Sequence, residues 1–215
     1  MKLRNNSLAI FTMLLFCTAA FLSGCATTGM DRSVKASNSI KEVDRDIREM
    51  IVHIDVTAAS LDSLFKAEQH DVKKAFDTYS HDLAKLDSQG TLVLKHVEEM
   101  KSRNKEYFSE WEKQGDAYTN QEIRELSEER RNKLAEIYAR VHTAGGGIKG
   151  AYIAYLTDLK EIQVYLSNDL TPEGVKTISP VANKTFQDRD ALKTSLKPVI
   201  DALDDIKAEL YGGKK

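Results

Sequence analysis

Only two cysteines occur in the 215 residues, Cys17 and Cys25, and both fall within the first 25 positions. The rest of the chain therefore has no disulfide to brace it, no thiolate for a metal and no cysteine nucleophile. Prolines number three, which leaves most of the chain free to run as long helices. Basic and acidic residues nearly balance, 31 against 33, and no charge excess of the kind that draws a protein to nucleic acid is present. Catalytic signatures are missing too. There is no Gly-x-Ser-x-Gly and no His-Glu-x-x-His. Gly145-Gly146-Gly147 follows no strand pattern and precedes no Lys-Ser/Thr, so it is not a phosphate loop. None of His53, His70, His81, His96 and His142 has an acid three residues before it, which excludes the paired Glu-x-x-His site of di-metal bundles.

What is there begins at the N-terminus. Lys2 and Arg4 precede an apolar run, Leu8 to Leu22, too short for a confident membrane span. Leu22-Ser23-Gly24-Cys25 closes that run and reads as a lipobox, with a plain secretory signal or an uncleaved anchor as the alternatives. The resemblance to bacterial lipoproteins implies a thioether-linked diacylglycerol on Cys25 and a third acyl chain, such as palmitate, on its amine. Several chains on one residue anchor persistently where a single chain is marginal. Ala26 follows, not the aspartate that resembles an inner-membrane retention signal, so the expected address is the periplasmic face of the outer membrane. Removing Lys2 and Arg4 with the signal leaves 29 basic and 33 acidic residues, a net charge of −4. The expected division is a signal peptide over 1–24, the lipidated cysteine and a flexible tether over 25–33, a helical bundle over 34–211 and a tail over 212–215.

The bundle is read from periodicity. Val72, Phe76, Tyr79, Leu83, Leu86, Gly90, Val93, Val97, Met100, Asn104, Tyr107 and Trp111 recur at spacings of four and three, a heptad stripe. A first stripe runs Ile40, Val43, Ile47, Met50, Ile54, Ala58, Leu61, Phe65. A third runs Ile123, Leu126, Leu134, Ile137, Val141, Ala144, Ile148, Ala151, Tyr155, Leu159, Ile162, Leu166, and a fourth Val181, Leu192, Leu196, Val199, Leu203, Ile206, Leu210. Polar turns separate them. Glu68 to Asp71 is the first, with Asp71 a candidate N-cap. Gly115 to Asn120 is the second, with Asn120 placed to cap. Asn168 to Pro172 is the third, with Thr171 as N-cap and Pro172 at the first helical position. The fold class is all-α, an elongated up-down-up-down four-helix bundle with coiled-coil-like heptads behind a lipoprotein signal peptide. Ser179-Pro180 marks a restart of the fourth helix and Pro198 a kink. Across Gly145 to Gly147 the apolar spacing is unshifted, so a continuous but weakened third helix is expected, with Gly146 opposite Gly90; a hinge or a break is the competing reading.

Little chemistry is on offer. The histidines read as helix-surface residues, although His142 could approach His96 and His53 could approach His81. Glu128-Glu129 and Asp204-Asp205 read as solvated faces. Tyr107, Phe108, Trp111 and Tyr118 read as packing at one bundle end, or else as a membrane-facing belt. Asn104, Arg130 and Asp188 hold seam positions normally apolar, where a polar residue fixes register; Arg130 could reach Asn104 or Glu106.

Tyr107-Phe108-Ser109-Glu110-Trp111-Glu112, Glu125-Leu126-Ser127-Glu128-Glu129-Arg130-Arg131 and Leu166-Ser167-Asn168-Asp169-Leu170-Thr171, with the lipobox, resemble an uncharacterised family of Gram-negative envelope lipoproteins, a domain of unknown function of the 2959 type. The resemblance spans about residues 38 to 211, implies a helical, coiled-coil-rich fold and brings no catalytic residues. The functional expectation is a non-enzymatic, lipid-anchored component of the cell envelope without cofactor or metal. The membrane holds it through the lipid anchor. An envelope protein meets it at the distal turns around Gln69, His70, Thr171 and Pro172, or it associates with itself. Two alternatives stand beside this. One is a peptidoglycan tether through Lys215, by a faint likeness of the terminus to the major murein lipoprotein. The other is a carrier of an apolar ligand, which requires a cavity beside Gly90 and Gly145 to Gly147.

Overall fold

The structure, a computed structural model, describes residues 29–68, 70–115 and 117–211. It contains helices α1 (Gly29–Lys66), α2 (Val72–Gly115), α3 (Gln121–Ala144), α4 (Ile148–Asn168) and α5 (Pro172–Tyr211), with no strand among the described residues. The helices form four antiparallel arms, the third being α3 followed by α4. Arg48, Asp55 and Asp44 of α1 pair with Asp204, Lys193 and Lys207 of α5, a descending register that sets these two arms antiparallel. Tyr79 donates to the Leu159 carbonyl at 2.7 Å and Tyr152 to the Leu86 carbonyl at 2.8 Å, which does the same for α2 and α4. Each arm packs on two neighbours around a ring, α1 on α2 and α5, the third arm on α5 and α2.

The stripes of the first two arms are the core. Ile40, Ile54, Leu61, Tyr79 and Leu86 are wholly buried, as are Ile162, Leu166, Leu203 and Ile206 from the other two. Burying one such side chain contributes roughly 1.5–3 kcal/mol, which is how a chain with no disulfide in its bundle holds together. The ends follow the expected chemistry. Asn120 accepts the Ile123 N–H at 3.3 Å, and Thr171 Oγ1 accepts the Gly174 N–H at 3.1 Å with Pro172 opening α5. The Asp71 carbonyl accepts the first α2 bond, from Ala75 N–H at 2.9 Å, while its carboxylate pairs with His70 instead of capping. No described helix is long and apolar enough to cross a membrane.

The structure differs from expectation in four places. Helix α1 begins at Gly29, so residues 29–33, expected as tether, are already helical. Helix α5 runs unbroken through Pro180 and Pro198. Its seam uses Val175, Ala182 and Thr185, leaving Val181 exposed, because a small residue fits the seam where the larger one does not. The third arm is broken, not continuous. The Gly145 N–H closes α3 on the Val141 carbonyl at 2.9 Å, Gly147 turns the chain at φ 82°, and the Ala151 N–H opens α4 on the Gly147 carbonyl. That positive φ is a conformation an L side chain resists, which is why a glycine stands there. The break also rephases the stripe, so that Tyr152 is buried while Ala151 faces solvent. At the start of α3, Ile123 and Leu126 are exposed rather than in the seam.

Candidate functional site

Between α2 and the third arm lies a cavity of about 800 Å³. Its floor is the bundle core, Val43, Ile47 and Met50 from α1 with Leu196, Val199 and Ile206 from α5, all buried. Gly90, Val93, Val97 and Met100 of α2 wall one side, and Ala135, Tyr138, Val141, Gly145, Gly146 and Ile148 of the third arm wall the other. The volume lies within the range of small-molecule sites, roughly 300–1,000 Å³. An apolar cavity of roughly 150 Å³ already accommodates a benzene ring.

The sequence builds this space by omitting side chains where two arms should interlock. Gly90 contributes none because Tyr152 lies against it. A Cβ built on Gly90 would fall 1.9 Å from the Tyr152 hydroxyl, and Tyr152 is locked there by its bond to the Leu86 carbonyl. The expected Gly90–Gly146 contact is therefore replaced by a Gly90–Tyr152 one, which closes one end of the cavity. Gly145 and Gly146 add no bulk at the break, and the polar Asn104 takes a seam position that elsewhere is apolar. At the other end Phe108 meets Tyr138 edge to face, ring centroids 5.2 Å apart. The Asn104 Oδ1 is buried, borders the cavity and accepts no hydrogen bond, a costly state for an amide oxygen.

The opening is charged. Glu98, Lys101 and Lys105 of α2 and His142 and Lys149 across from them line it, all exposed. Lys101 pairs with Glu98 at 2.8 Å. That hydrogen bond, then the ammonium charge, holds the Glu98 carboxyl below the usual glutamate range, with smaller contributions from Lys149 and His142. Lys105 and Lys149 have no carboxylate partner among the described residues.

The residues singled out from sequence are placed as follows. Cys25, Ala26, Gln69 and Lys215 lie outside the described residues. His70 is exposed, with Asp71 at 3.1 Å and Glu68 at 3.6 Å. Thr171 is occupied locally, donating to Asp169 Oδ1 at 2.6 Å while capping α5. His70, Thr171 and Pro172 belong to turns at the end opposite Gly29 and are not brought into the cavity. His96 turns to α1, where its Nδ1 meets the wholly buried Asp46, not toward His142. Arg130 pairs with Glu209 of α5 rather than Asn104 or Glu106, and Asp188 pairs with Lys184. Trp111 donates to Ser127 Oγ at 2.9 Å and stacks on Tyr107, so this part of the aromatic group is packing, while Tyr118 is exposed. No group of three or more metal-ligating side chains forms among the described residues. Sequence reasoning missed Tyr152 and the lysine rim. Tyr152 was findable as the tyrosine three before Tyr155, in phase with it; the rim was not, since its members sit on ordinary solvated faces.

One protein-family model matches residues 30–210, and its description reads "Protein of unknown function (DUF2959)". No curated protein and no solved structure matches the chain significantly.

Proposed function

The chain belongs to that family, and since membership brings no activity with it, we propose that this is a lipid-anchored, non-enzymatic protein of the bacterial envelope whose bundle holds an apolar ligand. The observation that carries the reading is the cavity beside Gly90, Gly145 and Gly146, floored by core side chains. Glycines packed face to face would have argued the reverse. The anchor is proposed on Leu22-Ser23-Gly24-Cys25, and the outer-membrane address on Ala26.

Geometry makes anchor and cavity compatible. Gly29 at the start of α1 packs near the end of α2, where its built Cβ would lie 3.8 Å from Gln114 Oε1. Only three residues separate Cys25 from Gly29, a reach of at most about 14 Å. Phe108, the near end of the cavity, is seven residues before Gly115, about 10 Å along the helix. Met30, Ile123 and Leu126 expose apolar surface at the same end. A cavity so close to an acyl anchor can exchange an apolar molecule with the lipid surface. The distal turns as a partner contact have only their exposure in support. A C-terminal tether is disfavoured by α5 returning to the anchor end.

Native mass spectrometry of the protein purified from outer membranes tests the reading. It should show triacylated Cys25 as the first residue, no change after lysozyme, and a small-molecule adduct lost on denaturation. A chain that retains its signal would refute the anchor, and an adduct-free bundle would refute the carrier.

A further inference from the structure

Building on the carrier reading, we infer that the ligand is an amphiphile with one extended hydrocarbon chain and an anionic headgroup, the chain lying in the cavity and the headgroup among Lys101, Lys105 and Lys149 at its opening.

The shape selects the tail. From Gly90 to Phe108 the cavity follows 18 residues of α2, about 27 Å at 1.5 Å per residue. Dividing 800 Å³ by that length leaves a mean cross-section of about 30 Å². A space so long and narrow takes a single flexible chain better than two chains side by side or a fused ring system. Its inner wall is aliphatic and aromatic, so a polar chain would lose hydration without compensation.

The opening selects the head. Three ammonium groups border it against one carboxylate, Glu98, which is already held by Lys101. Elsewhere on the bundle lysines commonly have partners: Lys184 pairs with Asp158 and Asp188, Lys193 with Asp55, Lys207 with Asp44 and Asp204. Lys105 and Lys149 do not, among the described residues, and they are the two facing each other across the mouth of an apolar space. A carboxylate or phosphate there gains two ammonium partners, while a cationic head would meet them as like charges. Just inside Lys101 and Lys105, one helical turn along the same face, the unpartnered Asn104 Oδ1 offers an acceptor to a hydroxyl or amide donor near the head.

The test uses the mature acylated protein in phosphatidylcholine vesicles, with its single tryptophan, Trp111, as energy-transfer donor one turn beyond Phe108. The acceptors are dansyl-labelled undecanoic acid, the matching alcohol and the matching trimethylammonium compound. The acid should bind tightest, and its advantage should shrink as salt is raised. Lys105→Glu with Lys149→Glu should weaken the acid by about five-fold or more while alcohol affinity and helicity hold. Equal binding of all three probes, unaltered by the double variant, would overturn the headgroup assignment and leave the carrier reading standing. Tightest binding of the cationic probe would overturn it as well. Absence of saturable transfer to any probe would overturn both.

Discussion

Substituting Gly90 by alanine adds a single methyl group, and the structure gives it nowhere to go. The built Cβ lies 1.9 Å from the Tyr152 hydroxyl oxygen, 2.3 Å from Cζ and 2.4 Å from Cε1. Tyr152 is 4% exposed and hydrogen-bonded to the Leu86 carbonyl, so it cannot swing aside into solvent. Either the ring shifts and abandons that bond or the two arms separate. Overpacking of this kind costs roughly 1–3 kcal/mol, and a buried hydrogen bond about 1 more. Gly90→Ala should therefore destabilise by about 2–4 kcal/mol, less whatever alanine gains in helix propensity. For a domain of this size that is a fall in Tm of about 4–15 °C, read by circular dichroism during thermal and urea denaturation. The cause is checked by a cycle with Tyr152→Leu, which removes the obstacle. The two substitutions together should cost at least about 1 kcal/mol less than their sum. A Gly90→Ala protein within about 0.5 kcal/mol of wild type, or strict additivity, would refute the contact.

Gly147→Ala places a Cβ in open space but at φ 82°, so it should cost about 1 kcal/mol by backbone strain alone, with asparagine milder. Burial raises the hydroxyl pKa of Tyr79, Tyr152 and Tyr155 above that of free tyrosine. Above pH 10 the unfolded chain releases these protons and the folded one keeps them. Stability should then be full below about pH 10 and fall beyond it, with a slope approaching 4 kcal/mol per pH unit that Tyr79→Phe reduces by about a third in alkaline urea titrations. Asn104→Leu should raise stability by about 1 kcal/mol in the ligand-free protein by removing an unpaired acceptor; a destabilised variant would mean Asn104 is held by a partner.

Where the chain's own local chemistry decides the outcome, the sequence was readable. Asn120, Thr171 and Pro172 announce helix starts because a cap is satisfied within four residues of itself, and the structure puts helix starts there. The stripes of the first two arms came through because heptads bury whatever is large and apolar. The third and fourth arms were harder for a physical reason: their seams depend on what faces them. Val181 looks like core and Ala182 does not, yet the smaller residue fits. Three glycines leave apolar spacing intact on paper while permitting the φ that breaks the helix. The cavity was legible only as a condition attached to Gly90 and Gly145 to Gly147. An empty space is set by pairs of residues on different arms, and no single stripe records that Tyr152 would take the place over Gly90. Likewise the buried Asp46–His96 pair joins residues 50 positions apart, each unremarkable in its own helix.

The central claim is that the space between α2 and the third arm takes up an apolar molecule, and filling it from within is the direct test. Ala135, half-buried on the cavity wall, becomes phenylalanine in a variant that adds a ring to the space and leaves the rim charges alone. Wild-type and Ala135→Phe proteins are titrated with an uncharged hydrocarbon dye whose emission rises on leaving water. Saturable one-site binding by wild type, lost in a variant of unchanged helicity, is the predicted result. Equal binding by both proteins, or none by wild type, would contradict it.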